Sequence, residues 1–313
     1  MVYNWLGADI VPLAITYSLA FAALLIGSVT DLKTREVPDW VNYGLIISGV
    51  ALNALFTFVY GQFEIKALEN GGVLYTLSMD SYLISSLTGL IIFFCIAYLM
   101  FDAGQWGGGD SKMIMGLGAM IGIDFSKNMF LFGFFINALL AGAVYGLLWS
   151  ILLAVKNRKK FSREFRNGLL KESAVKTKKF MLVGLILMTI SLFLIEQYPV
   201  KVLILSLAFL ALTTFYLWIF VKAIEKSSMY KLVEPSKLTE GDWIVNDIYV
   251  SKKYICGPKD LGIGKSQIRK LVEFYKKGKV RRILIKEGLP FVPSFLIAFI
   301  ITFLFGNALM WIL

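Results

Sequence analysis

Residues 82–123 read YLISSLTGLIIFFCIAYLMFDAGQWGGGDSKMIMGLGAMIGI. The first twenty of them, 82–101, carry no charged side chain and are long enough to cross a bilayer, which takes about 20 mostly apolar residues. Asp102 then opens a polar, glycine-rich turn that ends at Asp110 and Lys112. The apolar stretch that follows, 113–123, has only eleven residues. Two readings fit it: a re-entrant piece, or a short helix through a thin membrane. The path of the whole chain turns on which of the two holds.

Working outward, six further apolar segments stand at 11–30, 41–60, 128–155, 180–195, 200–221 and 291–313. The chain is 58% hydrophobic and 17% charged, with a mean hydropathy of +0.71. Soluble domains hold about 45–50% apolar and about 25% charged residues, so a soluble or disordered protein is excluded. The first segment lacks the basic start and small-residue cleavage site of a signal peptide. Charge decides the count of crossings. If 113–123 crosses and the N-terminus lies outside, the inside loops are 31–40, 102–112, 156–179 and 222–290. These loops hold 29 of the 32 Lys and Arg, and only Lys66, Lys127 and Lys201 fall outside. Without that crossing, the two large basic loops lie opposite 31–40. Basic residues concentrate on the cytoplasmic side, which favours eight helices.

The expected fold is therefore an all-α polytopic membrane protein of about eight transmembrane helices, one of them short. A small α+β cytoplasmic domain precedes the last helix. The expected division is 1–221, a membrane helical domain with the catalytic loops; 222–290, the cytoplasmic insertion; and 291–313, the final helix. Within the insertion, 243–250 is a β-branched run, Gly257-Pro258 a turn, and 266–277 a helix with Ile268, Leu271, Val272 and Tyr275 at helical spacing.

Composition removes several chemistries. The absence of His removes Ser-His, Cys-His and His-metal sites. Cys95 and Cys256 lie far apart in unlike surroundings, so no disulfide or zinc site is expected. Gly262-Ile-Gly-Lys-Ser266 resembles half a phosphate-binding loop, but Lys259 stands where the first glycine is required. The net charge of +11 points to cytoplasmic basic loops on anionic membrane lipid rather than to nucleic acid. The run 156–179, with ten basic and two acidic residues, is the main such determinant.

Acidic residues at membrane level are costly, so they are functional candidates by default. Asp31 ends the first apolar segment and Asp110 begins the short one. Both fall at the cytoplasmic water–lipid boundary of the eight-helix arrangement. Two carboxyls there suit peptide hydrolysis, one taking a proton from water and the other giving one to the carbonyl oxygen. Helix ends separate the roles: Asp110 at an N-terminus is the expected base, and Asp31 at a C-terminus the expected acid. Gly107, Gly108 and Gly109 lack side chains, so a substrate backbone can come close and the loop can take positive φ. Read singly, the glycines also suit a flexible loop, and Asp31 a solvated residue beside Lys33 and Arg35.

Taken together, Asp31-Leu-Lys-Thr-Arg-Glu-Val-Pro-Asp39 and Gly107-Gly-Gly-Asp-Ser-Lys-Met-Ile-Met-Gly-Leu-Gly-Ala-Met-Ile-Gly122 resemble the two signature regions of the type IV prepilin peptidases, whose archaeal branch includes the preflagellin peptidases. Leu289-Pro-Phe-Val-Pro-Ser-Phe295 resembles that family's Pro-Phe-x-Pro stretch, whereas roughly 124–256 offers no recognisable motif. The resemblance implies a membrane aspartyl protease of the Gly-x-Gly-Asp type with Asp31 and Asp110 as catalytic pair. It implies cleavage, at the cytoplasmic face of the cell membrane, of a short basic leader just before the hydrophobic helix of a pilin-like precursor. No cofactor and no metal are expected. Gly107, Gly108, Gly109 and Lys112 form the expected active-site loop, and Glu36, Asp39 and Asp102 are the expected acidic contacts of the basic leader. Bacterial members carry paired Cys-x-x-Cys motifs and methylate the new N-terminus; those motifs are not found in this sequence, so methylation is not expected. Two other readings exist. In a transporter, the two aspartates would relay ions or protons. In a presenilin-like protease, a Tyr-Asp pair is required, and the chain has none.

Overall fold

The computed structural model describes residues 10–67, 73–123, 130–260 and 262–308. In chain order the elements are α1 (Ile10–Thr34), α2 (Asp39–Val59), β1 (Phe63–Ala67), β2 (Val73–Leu77), α3 (Tyr82–Asp102), α4 (Gly108–Ile121), α5 (Phe130–Lys156), α6 (Arg158–Leu170), α7 (Glu172–Leu194), α8 (Tyr198–Ile224), β3 (Tyr230–Val233), β4 (Trp243–Ile244), β5 (Ile248–Val250), β6 (Lys253–Cys256), α9 (Lys265–Lys276), β7 (Ile283–Lys286) and α10 (Val292–Phe305). Among the described residues, six helices are long and apolar enough to cross a membrane: α1, α2, α3, α5, α7 and α8 with its continuation. The protein is a multi-pass membrane protein. The chain divides into two compact units, Met1–Gly146 with Gly288–Leu313, and Leu147–Glu287.

In the first unit the short helix α4 is the centre. Met113, Ile114, Leu117, Ala119 and Met120 are fully buried, packed between α2 and α3. Glycines make this possible. A Cβ on Gly118 would lie 2.5 Å from the Gly89 carbonyl oxygen of α3, and one on Gly49 would lie 2.7 Å from the Met120 nitrogen. Backbones therefore meet without intervening side chains, the packing that small residues permit between membrane helices. The helix runs antiparallel to α3 along most of its length. Ser111 Oγ donates to the Ala97 carbonyl at 3.4 Å, and Ser86 Oγ donates to the Ala119 carbonyl at 2.6 Å. At about 1.5 Å per residue its 14 residues reach about 21 Å, short of a hydrocarbon core of about 30 Å. The polar ends of its neighbours make up the difference. The Asn53 amide donates to the Ala119 and Met120 carbonyls at 3.3 and 3.1 Å, satisfying the helix end. The short apolar stretch is thus a helix packed between α2 and α3.

α1 and α10 lie antiparallel. The Tyr17 ring sits 6.1 and 6.2 Å from those of Phe299 and Phe303 at one end, and Asp31 meets Val292 at the other. α5 is antiparallel to α10 as well: Asn137 Nδ2 donates to Thr302 Oγ1 at 2.9 Å, and Gly142 faces the Phe291 ring. Asp31, Asp39, Asp102, Gly108 and Val292 consequently gather at one end of this unit. The β1–β2 hairpin, antiparallel with Phe63 opposite Leu77, joins α2 to α3 and has no counterpart in the sequence reading.

In the second unit, the basic stretch 156–179 is helical rather than a loop. It comprises α6 and the first turns of α7, where Lys176, Lys178 and Lys179 lengthen the apolar part to a 23-residue helix. Phe165 and Leu169 of α6 pack with Ala174, Phe215, Ile219 and Met181, which explains the order. The boundary expected at 221/222 falls inside α8, which continues through a π-helical stretch, Glu225–Met229, straight into β3. Glu225 is buried and paired with Lys222 at 2.9 Å and Lys286 at 2.6 Å. The strands form an antiparallel sheet in the order β3-β7-β4 and a β5–β6 hairpin. Leu238, Ile244, Val250, Ile255, Ile263, Leu271, Ile283 and Ile285 make their shared core, with α9 supplying Leu271. The β-branched run 243–250 is therefore not one strand but two, β4 and β5. The β5–β6 turn is formed by Ser251 and Lys252, both with positive φ, a two-residue hairpin turn without the usual Asn-Gly signature. Burial in β6 pushes the Cys256 thiol up to about 11, so it is inert.

Candidate active site

Asp31 stands one turn from the end of α1. The helix stops because Arg35 takes a left-handed conformation, φ +63°, while its N–H still bonds the Asp31 carbonyl at 2.9 Å. Pro38 then permits no continuation, and α2 restarts at Asp39. Between the two helices Val37 is buried, in van der Waals reach of Gly109. The Asp31 side chain is only 5% exposed. Its Oδ2 accepts the Val292 N–H at 3.0 Å, across 261 positions of sequence. Arg35 lies within electrostatic reach of it. Asp31 therefore serves as the N-terminal cap of α10, whose first turn contains Pro293 and whose entry is otherwise uncapped by a side chain.

Asp110 is the third residue of α4, and its Oδ2 accepts the Gly107 N–H at 2.9 Å. None of Gly107, Gly108 and Gly109 has positive φ; that conformation falls on Gly104, φ +65°. The freedom to take positive φ is thus not used at these three glycines. A Cβ on Gly108 would meet nothing within 4 Å, so internal crowding does not explain glycine there either. Space beside the backbone is what remains.

The two aspartates lie within electrostatic reach of one another. Below them α1 and α4 are in contact, since a Cβ on Gly27 would stand 2.7 Å from Met113 Cε. Trp106, buried just before the glycines, packs against Phe291 and Phe295 with ring centroids 6.4 and 5.3 Å away. The stretch 289–295 thus closes the site through both its backbone and its aromatic rings. Asp31 lies at the C-terminus of its own helix but accepts from the N-terminus of α10. Both carboxyls face helix N-termini, and helix ends no longer separate acid from base.

Lys112 Nζ lies 2.7 Å from Asp39 Oδ1 and 4.9 Å from the centroid of the Tyr43 ring. Asp39 is therefore engaged, while Glu36 and Asp102 are exposed. The Lys112 and Asp39 side chains are 34% and 69% exposed. Such a pair stabilises by about 0.2–1 kcal/mol, so Lys112→Met should lower thermal stability only slightly. Thermal unfolding in detergent checks this; a loss above about 2 kcal/mol would instead make the pair the tie between α2 and α4. Among the described residues no group of three or more Cys, Asp and Glu side chains could hold a metal ion. Sequence reasoning missed the Val292 N–H, a main-chain group that no side-chain pattern marks; the only signal was the 289–295 stretch.

The type IV leader peptidase family matches residues 18–147, a range that includes Asp31, the glycine loop and Asp110. Preflagellin peptidases of Methanococcus voltae and Methanocaldococcus jannaschii are each 36% identical to the chain, over 107 and 108 residues. That of Methanococcus maripaludis is also 36% identical, over 107 residues. Each match covers 34% of this chain and 38 to 39% of the relative. The chain thus spans about two fifths of the length of the curated relatives it matches. No solved structure matches it. The stretch that holds both aspartates, residues 18–147, is thus similar to the type IV leader peptidase family, and about a third of the chain is similar to the preflagellin peptidases.

Proposed function

We propose that this protein is a membrane aspartyl endopeptidase that removes the short basic leader from a pilin-like precursor at the cytoplasmic face of the cell membrane. The observation that carries the reading is the meeting of Asp31 and Asp110, from separate helices, at one end of the first unit, each held by a backbone N–H. Two carboxyls so placed share one proton, because like charges close together do not both ionise cheaply. The ionised member takes a proton from a water molecule, whose oxygen attacks the scissile carbonyl carbon. The protonated member gives its proton to the carbonyl oxygen. In the second step, the newly protonated member gives its proton to the nitrogen as the C–N bond breaks, and the other carboxylate takes a proton from a hydroxyl of the tetrahedral carbon, so the pair again holds one proton. Substrate must lie extended, and the open backbone at Gly108 suits such an approach.

The orientation rests on charge. Basic residues concentrate on the cytoplasmic side, and Lys33, Arg35 and Lys112 lie close to Asp31 and Asp110 in sequence. A basic leader there meets the exposed carboxylates of Glu36 and Asp102; Asp39 joins them only by giving up Lys112. The test is to incubate the purified protein with a panel of leader-bearing pilin and archaellin precursors and read product N-termini by mass spectrometry. Cleavage directly before the hydrophobic helix is expected. Products cut inside that helix, or none with any precursor, would refute the reading. Because the proposed chemistry needs only two carboxyls and water, a chelator should leave the rate unchanged. An EDTA titration of the cleavage rate checks this, and a loss restored by a divalent cation would contradict it.

A further inference from the structure

Two buried side chains near the aspartates have no hydrogen-bond partner among the described residues: Ser28 Oγ and both amide atoms of Asn42, in residues 4% and 0% exposed. A second buried asparagine on the same face of α2 makes the contrast. Asn53 donates to the carbonyls of Gly49, Ala119 and Met120 and holds helices together. Asn42 does none of this.

Their placement follows from packing. α2 and α4 run side by side with Val37 against Gly109, Leu45 against Gly116 and Gly49 against Met120. This register sets Asn42 level with Met113, one turn beyond Asp110. On the other side, Met113 Cε reaches Gly27 of α1, next to Ser28, and Ser28 stands one turn before Asp31. Ser28 and Asn42 are thus buried about one turn beyond the two carboxyls, Ser28 along α1 from Asp31 and Asn42 at the level of the turn of α4 after Asp110.

Unpartnered buried polar atoms are destabilising, and an apolar residue of similar shape would be tolerated better. We propose that Ser28 and Asn42 are positioning residues, a polar floor that orients the carboxyl oxygens of Asp31 and Asp110 not engaged by Val292 and Gly107. This inference rests on the aspartyl peptidase reading above. Their hydroxyl and amide groups donate to those oxygens when the pair and its water are set for attack. Neither residue touches the scissile bond.

The experiment compares Asn42→Val with Asn42→Thr, two side chains of one shape that differ by a hydroxyl, alongside Ser28→Ala, Asp31→Asn and Asp110→Asn. Misplacing a catalytic group by about 1 Å can cost about 10²-fold, so kcat should fall about 10- to 100-fold in Asn42→Val with KM unchanged. Its melting temperature should equal or exceed the parent's. Asn42→Thr should recover most of the lost kcat, and Ser28→Ala should lose kcat about fivefold or more without losing stability. Equal, near-parental kcat in Asn42→Val and Asn42→Thr would overturn the inference while leaving the peptidase reading intact, provided both aspartate variants are dead. Active aspartate variants would instead sink the peptidase reading itself. Should Asn42→Val fail to fold, Ser28→Ala decides, and parental kcat there overturns the proposal.

Discussion

Asp31→Asn and Asp110→Asn are each expected to reduce cleavage of a confirmed precursor by about 10³-fold or more. General acid–base assistance alone is worth about 10²–10⁴-fold, and loss of either carboxyl also breaks the shared-proton pair that sets one member ionised to activate water. Both variants should fold. An Asn side-chain oxygen still accepts the Val292 N–H in place of Asp31 and the Gly107 N–H in place of Asp110, so the two helix entries stay capped. Thermal unfolding near that of the parent, together with a dead enzyme, is the combined outcome that separates chemistry from folding. The surviving rate should also depend on pH differently. The parent's profile should be bell-shaped, with two apparent values that belong to the pair, whereas the single variants should lose that shape.

The second large effect falls far from the carboxyls. Gly118→Ala and Gly89→Ala should each destabilise the protein, because α3 and α4 touch backbone to backbone at these positions. A Cβ on Gly118 would come within 2.5 Å of the Gly89 carbonyl oxygen, and main chain does not yield as a flexible side chain does. Overpacking of this kind costs about 1–3 kcal/mol. Any relief by shifting α4 moves Asp110 with it, so activity should fall about 10²-fold even in the fraction that remains folded. Gly184→Ala, where a Cβ meets nothing within 4 Å, is the control and should behave as the parent. Cleavage per folded molecule, measured after size-exclusion chromatography in detergent, distinguishes the two losses. Parental activity in Gly118→Ala would show that the close approach of α3 and α4 does not set the position of Asp110.

The membrane character was legible because apolar runs of about 20 residues leave few alternatives. That 113–123 is a helix was favoured by charge, since the distribution of basic residues suits one more helix there. The structure shows how it packs: a row of glycines and a polar Asn53 let most of a 14-residue helix lie buried against α2 and α3. The stretch 156–179 was misjudged as a loop because its charges lie on one face of α6 while Phe165 and Leu169 pack on the other, a pattern masked by ten basic residues. The β-branched run 243–250 hid a break, since β4 and β5 share composition but not partners. Asp31, Asp110 and the glycine loop could be picked out by residue type and by resemblance. The assignment of acid and base could not, because it rested on the helix each aspartate belongs to. What matters is the helix each one faces, and the N-terminus of α10 reaches Asp31 across 261 positions. Long-range backbone contacts of that kind leave no local trace in sequence.

The account stands on Asp31 and Asp110 working as one unit, and a double-mutant cycle addresses that directly. Single-turnover cleavage of a leader-bearing precursor is measured for the parent, Asp31→Asn, Asp110→Asn and the double variant. Residues that act as a unit are strongly non-additive, so the double variant should be no more than about a few-fold slower than either single one. Losses that multiply, with each single variant retaining measurable and independent activity, would contradict a shared catalytic pair.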